Sequence, residues 1–296
     1  MKRNYFMIEI ATDWKDYQLI DAGNKDKLEI WKDVVLVRPE PQAIWEKGYD
    51  NRWNQPDAKY KRAAKGSGSW VFNKKLPEYW TVNYKDLVFK VSPTNFKHTG
   101  LFPEQAANWD WLSDLIKKSD QKIKVLNLFA YTGGATMACS KAGAREVVHV
   151  DAVRKMINWA KENMILNHLE NNTIRFIVED ALKFVKREQK RNRKYHIIIM
   201  DPPSYGRGPN NELWKLEDKI EELIKETVVL LEEKPVAFLV NAYTTGFGLL
   251  SLDNIMKKYL LKGFPDGVVN TVQLGLPILN SNMVLPCGIS GRFELK

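Results

Sequence analysis

Residues 124–134, KVLNLFAYTGG, decide the fold of this chain. The apolar run Lys124–Phe129 predicts a buried β-strand, and the paired glycines after it predict a tight turn into a helix at Ala135–Ala142. Glycine adopts backbone conformations that other residues avoid, so Gly133 and Gly134 would let a ligand approach the backbone closely. A plain strand-to-helix turn explains them as well. The pattern Gly-x-Gly-x-x-Gly is incomplete, which argues against a pyrophosphate cofactor.

The same alternation of strands and helices continues toward the C-terminus. Further strands are predicted at Glu146–Val150, Thr173–Val178, Tyr195–Met200, Val236–Val240, Val268–Leu274 and Met283–Pro286. Helices are predicted at Pro103–Lys118, Val153–Leu166, Ala181–Gln189, Leu216–Leu231 and Leu252–Leu261. This order predicts a parallel sheet with right-handed crossovers. The last two strands have no helix between them, which predicts an antiparallel hairpin at one edge.

Residues 1–97 have a different texture and are predicted to be a smaller β-rich domain, followed by an α/β domain at 98–296. Short β-like runs at Val34–Val37, Ser69–Phe72 and Leu87–Val91 alternate with Gly, Pro and Asn turns. The segment Lys61–Ser69 (KRAAKGSGS) is predicted to be a mobile basic loop. A function for the first domain in binding RNA or another substrate is open.

The charge distribution favours a polyanionic partner. The formal net charge is +9, and residues 47–97 hold 11 basic and 4 acidic residues with aromatic rings between them. Cations beside stacking rings are what single-stranded or looped RNA requires, although these rings would equally pack a small β-rich core. A second basic cluster lies at residues 183–194. It is either part of an RNA-binding face or a solvated helix surface.

Composition excludes several classes of protein. Cys139 and Cys287 are far apart, and the four histidines never form an i, i+4 pair, so we expect neither a disulfide framework nor a metal site. No apolar run is long enough to span a membrane. The first residues are too rich in charge for an export signal. We therefore expect a cytoplasmic protein without a membrane partner, and the sequence leaves its oligomeric state open.

The residues that end the predicted strands carry the chemistry, because ligands bind beyond the carboxyl ends of the strands in such sheets. Asp151 would accept hydrogen bonds from both ribose hydroxyls of an adenosine, or cap the next helix. Asp180 would accept from an adenine amine, or again cap a helix. The sequence DPPSY at Asp201–Tyr205 predicts a rigid turn. Its carbonyls and carboxylate would face the cleft and receive a planar amine.

Together these segments resemble a known family. The sequence VLNLFAYTGG (Val125–Gly134), Asp151, Glu179–Ala181 and Asp201–Tyr205 resemble class I S-adenosylmethionine-dependent methyltransferases. The greatest resemblance is to the bacterial large-subunit (23S) ribosomal RNA methyltransferases of the cytosine-5 and guanine-N7 type. Thr99–Gln105 (TGLFPEQ) is similar to a segment of that group that reaches over the cofactor.

The resemblance implies a Rossmann-like methyltransferase sheet of seven strands, S-adenosylmethionine as cofactor, and methylation of a base in RNA. It implies that Phe129–Gly133 line the methionine end of the cofactor, that Asp151 holds the ribose and that Asp180 lies on the adenine side. The candidate cofactor-binding residues are Thr99, Phe102, Gln105, Asn127, Phe129, Ala130, Tyr131, Thr132, Gly133, Asp151, Ala152, Asp180, Ala181 and Asp201. The candidate catalytic residues are Asp201, Pro202, Pro203 and Tyr205.

The mechanism we expect is direct, metal-free transfer, in which Asp201 orients or deprotonates the acceptor and Tyr205 or Trp214 stacks on it. The loop Ser204–Leu213 is predicted to be a lid, and Asn241–Gly248 the opposite wall. Cys287 is either the thiol that cytosine-5 methylation needs or a buried edge-strand cysteine. In amino-methyltransferases a ring directly follows the two prolines. Ser204 stands there in this chain, which weakens an exocyclic amine as the target.

Other functions remain open at this point. The acceptor could be a small molecule or a protein instead of RNA. The chain could also be a non-catalytic RNA-binding protein that retains the fold. A nicotinamide-dependent oxidoreductase would use an acid at Asp151, but it has no use for the Asp-Pro-Pro sequence.

Overall fold

Strands and helices alternate from Lys124 onward in the computed structural model, which describes residues 7–63, 68–207 and 213–295. The strands among these residues are β1 (Met7–Ile10), β2 (Tyr17–Gly23), β3 (Asp26–Trp31), β4 (Val34–Pro39), β5 (Ala58–Lys61), β6 (Ser69–Phe72), β7 (Trp80–Tyr84), β8 (Leu87–Val91), β9 (Lys124–Leu128), β10 (Glu146–Asp151), β11 (Ile174–Val178), β12 (Ile197–Met200), β13 (Tyr205–Arg207), β14 (Leu213–Lys215), β15 (Ala237–Ala242), β16 (Gly267–Pro277) and β17 (Val284–Leu295). The α-helices are α1 (Ala106–Lys118), α2 (Gly134–Lys141), α3 (Arg154–Leu166), α4 (Ala181–Lys190), α5 (Leu216–Val228) and α6 (Leu249–Gly263).

One eight-stranded sheet has the order β1-β16-β17-β15-β12-β9-β10-β11. The strands β15, β12, β9, β10 and β11 run parallel, and β17 pairs antiparallel to β15. The predicted Rossmann-like sheet with its antiparallel final hairpin is therefore confirmed. One strand of this sheet was not predicted: β1 adds an eighth strand beside β16, at the edge of the sheet. Half of its four residues are exposed, so it lacks the apolar pattern that marks the others.

Side chains of the central strands alternate between two packed faces. Leu126 and Leu128 of β9 belong to a core that includes residues of α4, α5 and α6. Val125, one residue away, belongs to a second core with Leu112 of α1 and Cys139 of α2. This period of two follows from the strand geometry, and it explains why the strands have continuous apolar runs. Helices therefore cover both faces, and the strand ends are left to form a site.

Contacts divide the chain into two compact units. One contains Ile10–Ala106 together with Gly275–Cys287, the tip of the final hairpin. The other contains Ala107–Leu274 and the chain from Gly288 onward, and β1 up to Glu9 groups with it. By contacts, therefore, residues 98–106 group with the N-terminal unit, nine residues beyond the predicted boundary at residue 97. A functional division of the chain at residue 97 stays a prediction.

The N-terminal unit is β-rich, as expected. It holds a five-stranded sheet of order β2-β3-β4-β5-β6 and the two-stranded sheet β7-β8. The aromatic side chains of this unit are divided between its core and its surface. Trp53, Tyr60 and Tyr84 are buried, whereas Tyr49 and Tyr79 are exposed. Part of the predicted basic loop, residues 64–67, lies outside the described residues.

Candidate active site at the carboxyl edge of the sheet

The strand register brings the predicted site segments to one edge. Leu128 at the end of β9 pairs with Val150 on one side and with Met200 on the other. The chain continues from β9 to β10 on one side and later reaches β12 on the opposite side. A crevice forms at such a reversal of strand order, outside the carboxyl ends of the strands. The turn after Leu128 and the Asp201–Tyr205 segment after β12 flank this crevice.

The turn after β9 has an unusual backbone. Phe129, Tyr131 and Gly133 have φ angles of 55°, 50° and 89°, all in the left-handed region. A residue other than glycine in a sparsely populated region costs about 1–3 kcal/mol, and such residues cluster at ligand-binding sites. Two backbone hydrogen bonds brace the turn: Ala130 N–H donates to the Val150 carbonyl, and Gly133 N–H donates to the Ala130 carbonyl, both at 3.0 Å.

Both glycines of the turn also lie close to side chains of neighbouring helices. A Cβ atom at Gly133 would lie 3.1 Å from Cε of Met137 and 3.2 Å from Cβ of Ala160. A Cβ atom at Gly134 would lie 2.5 Å from Cζ2 of Trp109, which is far inside van der Waals contact. At Gly134 contact with Trp109 therefore accounts for glycine without a ligand. At Gly133 the positive φ angle and the close contacts both favour glycine.

Asp151 lies where the sequence predicted an acceptor for ribose. Its Oδ2 accepts a hydrogen bond from the N–H of Tyr131 at 2.9 Å, and its Oδ1 accepts one from the N–H of Val153 at 2.8 Å. Burial raises the pKa of this carboxyl, and the two N–H donors oppose the shift. The N-cap of α3 is Val153, so Asp151 is not the capping residue. Each carboxylate oxygen has further acceptor capacity for a ligand hydroxyl.

Asp180 performs the capping role that the sequence offered as an alternative. It is the N-cap of α4, and its Oδ1 accepts from the N–H of Lys183 at 2.9 Å. The adjacent Ala181 is buried, whereas Ala152 next to Asp151 is exposed. A role for Asp180 beside an adenine therefore depends on its remaining lone pairs and stays a prediction.

The segment after β12 differs from the predicted open lid. Tyr205–Arg207 and Leu213–Lys215 pair as the antiparallel strands β13 and β14, and residues 208–212 lie outside the described residues. Trp214 donates its indole N–H to the Pro203 carbonyl at 2.6 Å, so one of the two lone pairs of this carbonyl already has a donor. The Trp214 ring lies 5.7 Å from the Phe129 ring, between centroids.

The candidate catalytic residues differ in exposure. Asp201 is half-buried and its backbone N–H donates to the Leu128 carbonyl at 3.3 Å. Pro202 is buried, Pro203 is exposed, and Tyr205 has 59% of its surface exposed. The rigid turn therefore keeps Asp201 beside the end of β9, and Tyr205 lies open to an acceptor.

Other predicted cofactor residues have structural partners. Asn127 is buried, and its Nδ2 donates to Oγ1 of Thr136 at 3.0 Å. Thr132 is buried within the turn, next to the half-buried Tyr131. Thr99, Phe102 and Gln105 group by contacts with the N-terminal unit. Their predicted roles toward a cofactor stay predictions.

The predicted wall Asn241–Gly248 begins later than expected, because β15 continues to Ala242. Asn241 is buried, and its Oδ1 accepts from Nδ2 of Asn108 at 3.1 Å and from Oγ of Ser290 at 2.6 Å. Arg292 donates from Nε to Oδ1 of Asn108 at 2.9 Å. No sequence signal marks this buried network, because its members are far apart along the chain.

Both cysteines are free; Cys139 is buried and Cys287 is half-buried. Burial raises the pKa of Cys139 to about 12 and raises that of Cys287 well above its usual range. The thiolate is the reactive form, so Cys287 fits the edge-strand alternative better than the catalytic one. Among the described residues no cluster of His, Cys, Asp or Glu has the arrangement of a metal site. None of the described helices has the length and apolarity to cross a bilayer.

The edge of the sheet fits an adenosine cofactor that carries no pyrophosphate. Asp151 supplies an acceptor at the end of β10, and the left-handed turn after β9 presents backbone where a cofactor would lie. A doubly wound sheet with these strand-end acids and an antiparallel last hairpin defines the class of α/β transferases that bind such a nucleoside. The chain belongs to the S-adenosylmethionine-dependent methyltransferase family, whose model matches residues 54–231.

Solved structures agree with this family. An S-adenosylmethionine-dependent methyltransferase from Agrobacterium tumefaciens is 36% identical, covers 100% of this chain and 98% of its own, and superposes with a TM-score of 0.91. SMU.776, solved in complex with S-adenosylhomocysteine (SAH), is 18% identical, with 95% of this chain and 76% of that chain covered and a TM-score of 0.71. This second likeness concerns the fold alone.

Curated relatives match only part of their length. The ribosomal RNA large subunit methyltransferase K/L of Shewanella frigidimarina is 34% identical over 144 residues, which is 48% of this chain and 19% of that protein. The protein of the same name from Syntrophotalea carbinolica is 33% identical over 154 residues, 52% of this chain and 21% of that protein. The chain thus spans about a fifth of the length of these relatives.

The protein is a methyltransferase, and S-adenosylmethionine is its cofactor. The bound cofactor supplies a methyl group already activated on a positively charged sulfur. What the chain must do is bind the cofactor, align the acceptor with it and exclude water. Asp151 and the turn after β9 suit the first task, and the Asp201–Tyr205 segment suits the second.

Proposed function

We propose that this enzyme methylates a base in RNA, with ribosomal RNA as the substrate, and so acts in rRNA processing. The observation that carries this proposal is a basic stripe on α4. Lys183, Lys186 and Lys190 are exposed, and spacings of three and four residues set them along one face of the helix. Arg187 pairs with Glu179 at 2.6 Å, whereas the three lysines pair with no acidic side chain of the described residues.

The stripe has the position and the spacing for a phosphate backbone. It begins three residues after Asp180, and α4 therefore carries it away from the cofactor edge. With a rise of 1.5 Å per residue, the seven steps from Lys183 to Lys190 cover about 10 Å, enough for two or three consecutive phosphates. The names of the curated relatives support ribosomal RNA as the source of these phosphates.

The reacting centre follows from the turn after β12. Asp201 orients or deprotonates the acceptor base, Pro202 and Pro203 keep the turn rigid, and Tyr205 or Trp214 stacks on the base. The cofactor is held by Asp151 at the ribose, by Asp180 on the adenine side, and by the turn from Phe129 to Gly133. Exposed rings of the N-terminal unit, such as Tyr49 and Tyr79, are available to stack on RNA.

Methyl transfer to a defined acceptor tests the activity. Purified protein would be incubated with methyl-labelled S-adenosylmethionine and, in parallel, with deproteinised ribosomal RNA from cells that lack this enzyme and with the protein and small-molecule fractions of those cells. We expect ribonuclease-sensitive label in the RNA. Label in protein or in a small molecule instead would overturn the choice of RNA and leave the cofactor assignment intact.

Salt dependence of RNA binding tests the stripe. The triple variant Lys183→Gln, Lys186→Gln, Lys190→Gln should weaken RNA binding and lower the slope of log K against log salt by about 2, since each lost phosphate contact removes about 0.7. The matched control neutralises three exposed lysines near the end of α1, Lys117, Lys118 and Lys122. Equal loss in both triple variants would mean that net charge alone governs binding.

A further inference from the structure

The turn from Phe129 to Gly133 is supported by polar side chains that lie outside every predicted site. Asn163 on α3 and His149 on β10 are both fully buried. We propose that these two are positioning residues for the cofactor. They contact the turn from the buried interior and hold its backbone in the left-handed conformation, which raises the affinity for S-adenosylmethionine. The proposal concerns the cofactor alone and is independent of the choice of RNA as acceptor.

The turn needs support because its backbone is strained. Phe129 and Tyr131 are not glycines, yet both have positive φ angles. Without tertiary contacts these residues would relax toward commoner conformations. If only a fraction of molecules has the competent turn, the apparent affinity for the cofactor falls by that fraction. Side chains that fix the turn therefore act on binding even at a distance from the ligand.

Asn163 fixes one carbonyl of the turn. Its Nδ2 donates to the carbonyl of Thr132 at 2.9 Å, between the two left-handed residues Tyr131 and Gly133. Asn163 faces the core together with Ile157 and Ala160 on the same helix. An apolar residue would be the ordinary choice there, because a buried amide is tolerated only when it is hydrogen-bonded. The interaction with the turn supplies that bond.

His149 reaches the turn from a second direction through a chain of hydrogen bonds. Asn127 donates to Oγ1 of Thr136 at 3.0 Å, and this oxygen lies 2.9 Å from Nδ1 of His149. Oγ1 of Thr136 has one proton to donate and two lone pairs, so its contact with Nδ1 fits either neutral tautomer. As part of the proposal we assign the tautomer in which Thr136 donates to Nδ1 and the ring proton lies on Nε2. Burial lowers the pKa of His149 to about 3, so the ring stays neutral at physiological pH.

In that tautomer the Nε2–H of His149 is a donor, and the backbone of Tyr131 is its neighbour on the turn. Nε2 is buried and has no partner with normal hydrogen-bond geometry among the described residues. The backbone of Tyr131 opposes the burial shift of the histidine pKa, as a nearby carbonyl would. A Cβ atom at Gly133 would lie 3.5 Å from Cε1 of the ring, so the ring is packed against the turn. Asp151, Asn163 and His149 thus support the turn at three successive places.

Calorimetric titration with SAH tests the proposal on the full-length protein. The variants are Asn163→Ala, which removes the donor to Thr132, and Thr136→Val, which breaks the chain to His149 while preserving shape. Each should raise the dissociation constant for SAH about fivefold to tenfold, the factor expected for one hydrogen bond. The binding stoichiometry, and kcat at saturating cofactor, should stay unchanged, because neither residue acts on the acceptor.

Asn172→Ala is the matched control. The side chain of Asn172 also donates to a backbone carbonyl: its Nδ2 lies 3.3 Å from the carbonyl oxygen of Ser140. Ser140 lies at the end of α2 that is far from the turn. This variant should change the SAH dissociation constant less than about twofold. The proposal is overturned if Asn163→Ala and Asn172→Ala change the constant alike, or if Asn163→Ala lowers only the melting temperature and the stoichiometry. Should Asn163→Ala not fold, Thr136→Val decides the question by the same criteria.

Discussion

Substitution of Gly134 tests whether this glycine is needed for packing or for the binding of a ligand. In Gly134→Ala the new methyl group would lie 2.5 Å from Cζ2 and 3.0 Å from Cε2 of Trp109. Trp109 is buried on α1, so its ring has little room to move. Overpacking of this kind costs about 1–3 kcal/mol. Alanine in place of glycine regains up to about 1 kcal/mol in a helix.

The net expectation for Gly134→Ala is a loss of about 1–2 kcal/mol in the free energy of unfolding. Urea titration followed by circular dichroism measures it. Gly263→Ala is the control, since no atom lies within 4 Å of its Cβ position and the residue ends α6, so this variant should be neutral or stabilised by up to about 1 kcal/mol. Affinity for SAH of the folded Gly134→Ala protein should change less than about threefold. A large loss of affinity at unchanged stability would refute the packing explanation.

Two further predictions concern single ionisable side chains. Asp201→Ala should abolish methyl transfer while the SAH dissociation constant, measured by calorimetry, stays within a few-fold of the original value; surviving turnover would show that Asp201 is not catalytic. His149 has a folded-state pKa of about 3, which is below its ordinary value of about 6.5. As the pH falls, His149 therefore binds a proton in the unfolded chain before it does so in the folded protein, and the folded state loses stability between about pH 6.5 and pH 3. Between pH 7.5 and pH 5 the loss from this residue is about 2 kcal/mol in urea unfolding, and His149→Phe should lack it. Equal pH dependence of both proteins would contradict the neutral buried histidine.

The sheet could be predicted from the sequence because its signal is local. Ile197–Met200 is fully buried and reads as a continuous apolar run, and Gly143 ends the helix before β10 with a φ angle of 104°. The missing helix between β16 and β17 was enough to predict the antiparallel hairpin. Each of these features depends on residues close together in the chain. The strand ends, and the acids on them, followed from the same signals.

The side-chain partners could not be predicted in the same way, because they depend on residues distant in sequence. Trp214 donates to the Pro203 carbonyl from eleven residues away. The three-residue strands Tyr205–Arg207 and Leu213–Lys215 are too short to show a period. Asn163 lies in a helix that was predicted correctly, yet its bond to Thr132 spans 31 positions. Sequence periodicity indicates which face is buried but not which polar group it meets there.

Asp151 can have a structural role and a ligand-binding role at the same time, although the sequence alone presents the two roles as alternatives. A carboxylate has about four acceptor sites, and the N–H groups of Tyr131 and Val153 occupy two of them. The remaining sites are sufficient for a pair of ribose hydroxyls. Asp151 therefore holds the strained turn, and in the binding mode that we propose the same side chain also receives the nucleoside, so that the geometry of the turn fixes the direction of its free lone pairs. For this reason residues such as Asn163, which bond only to the turn, are expected to influence cofactor binding as well.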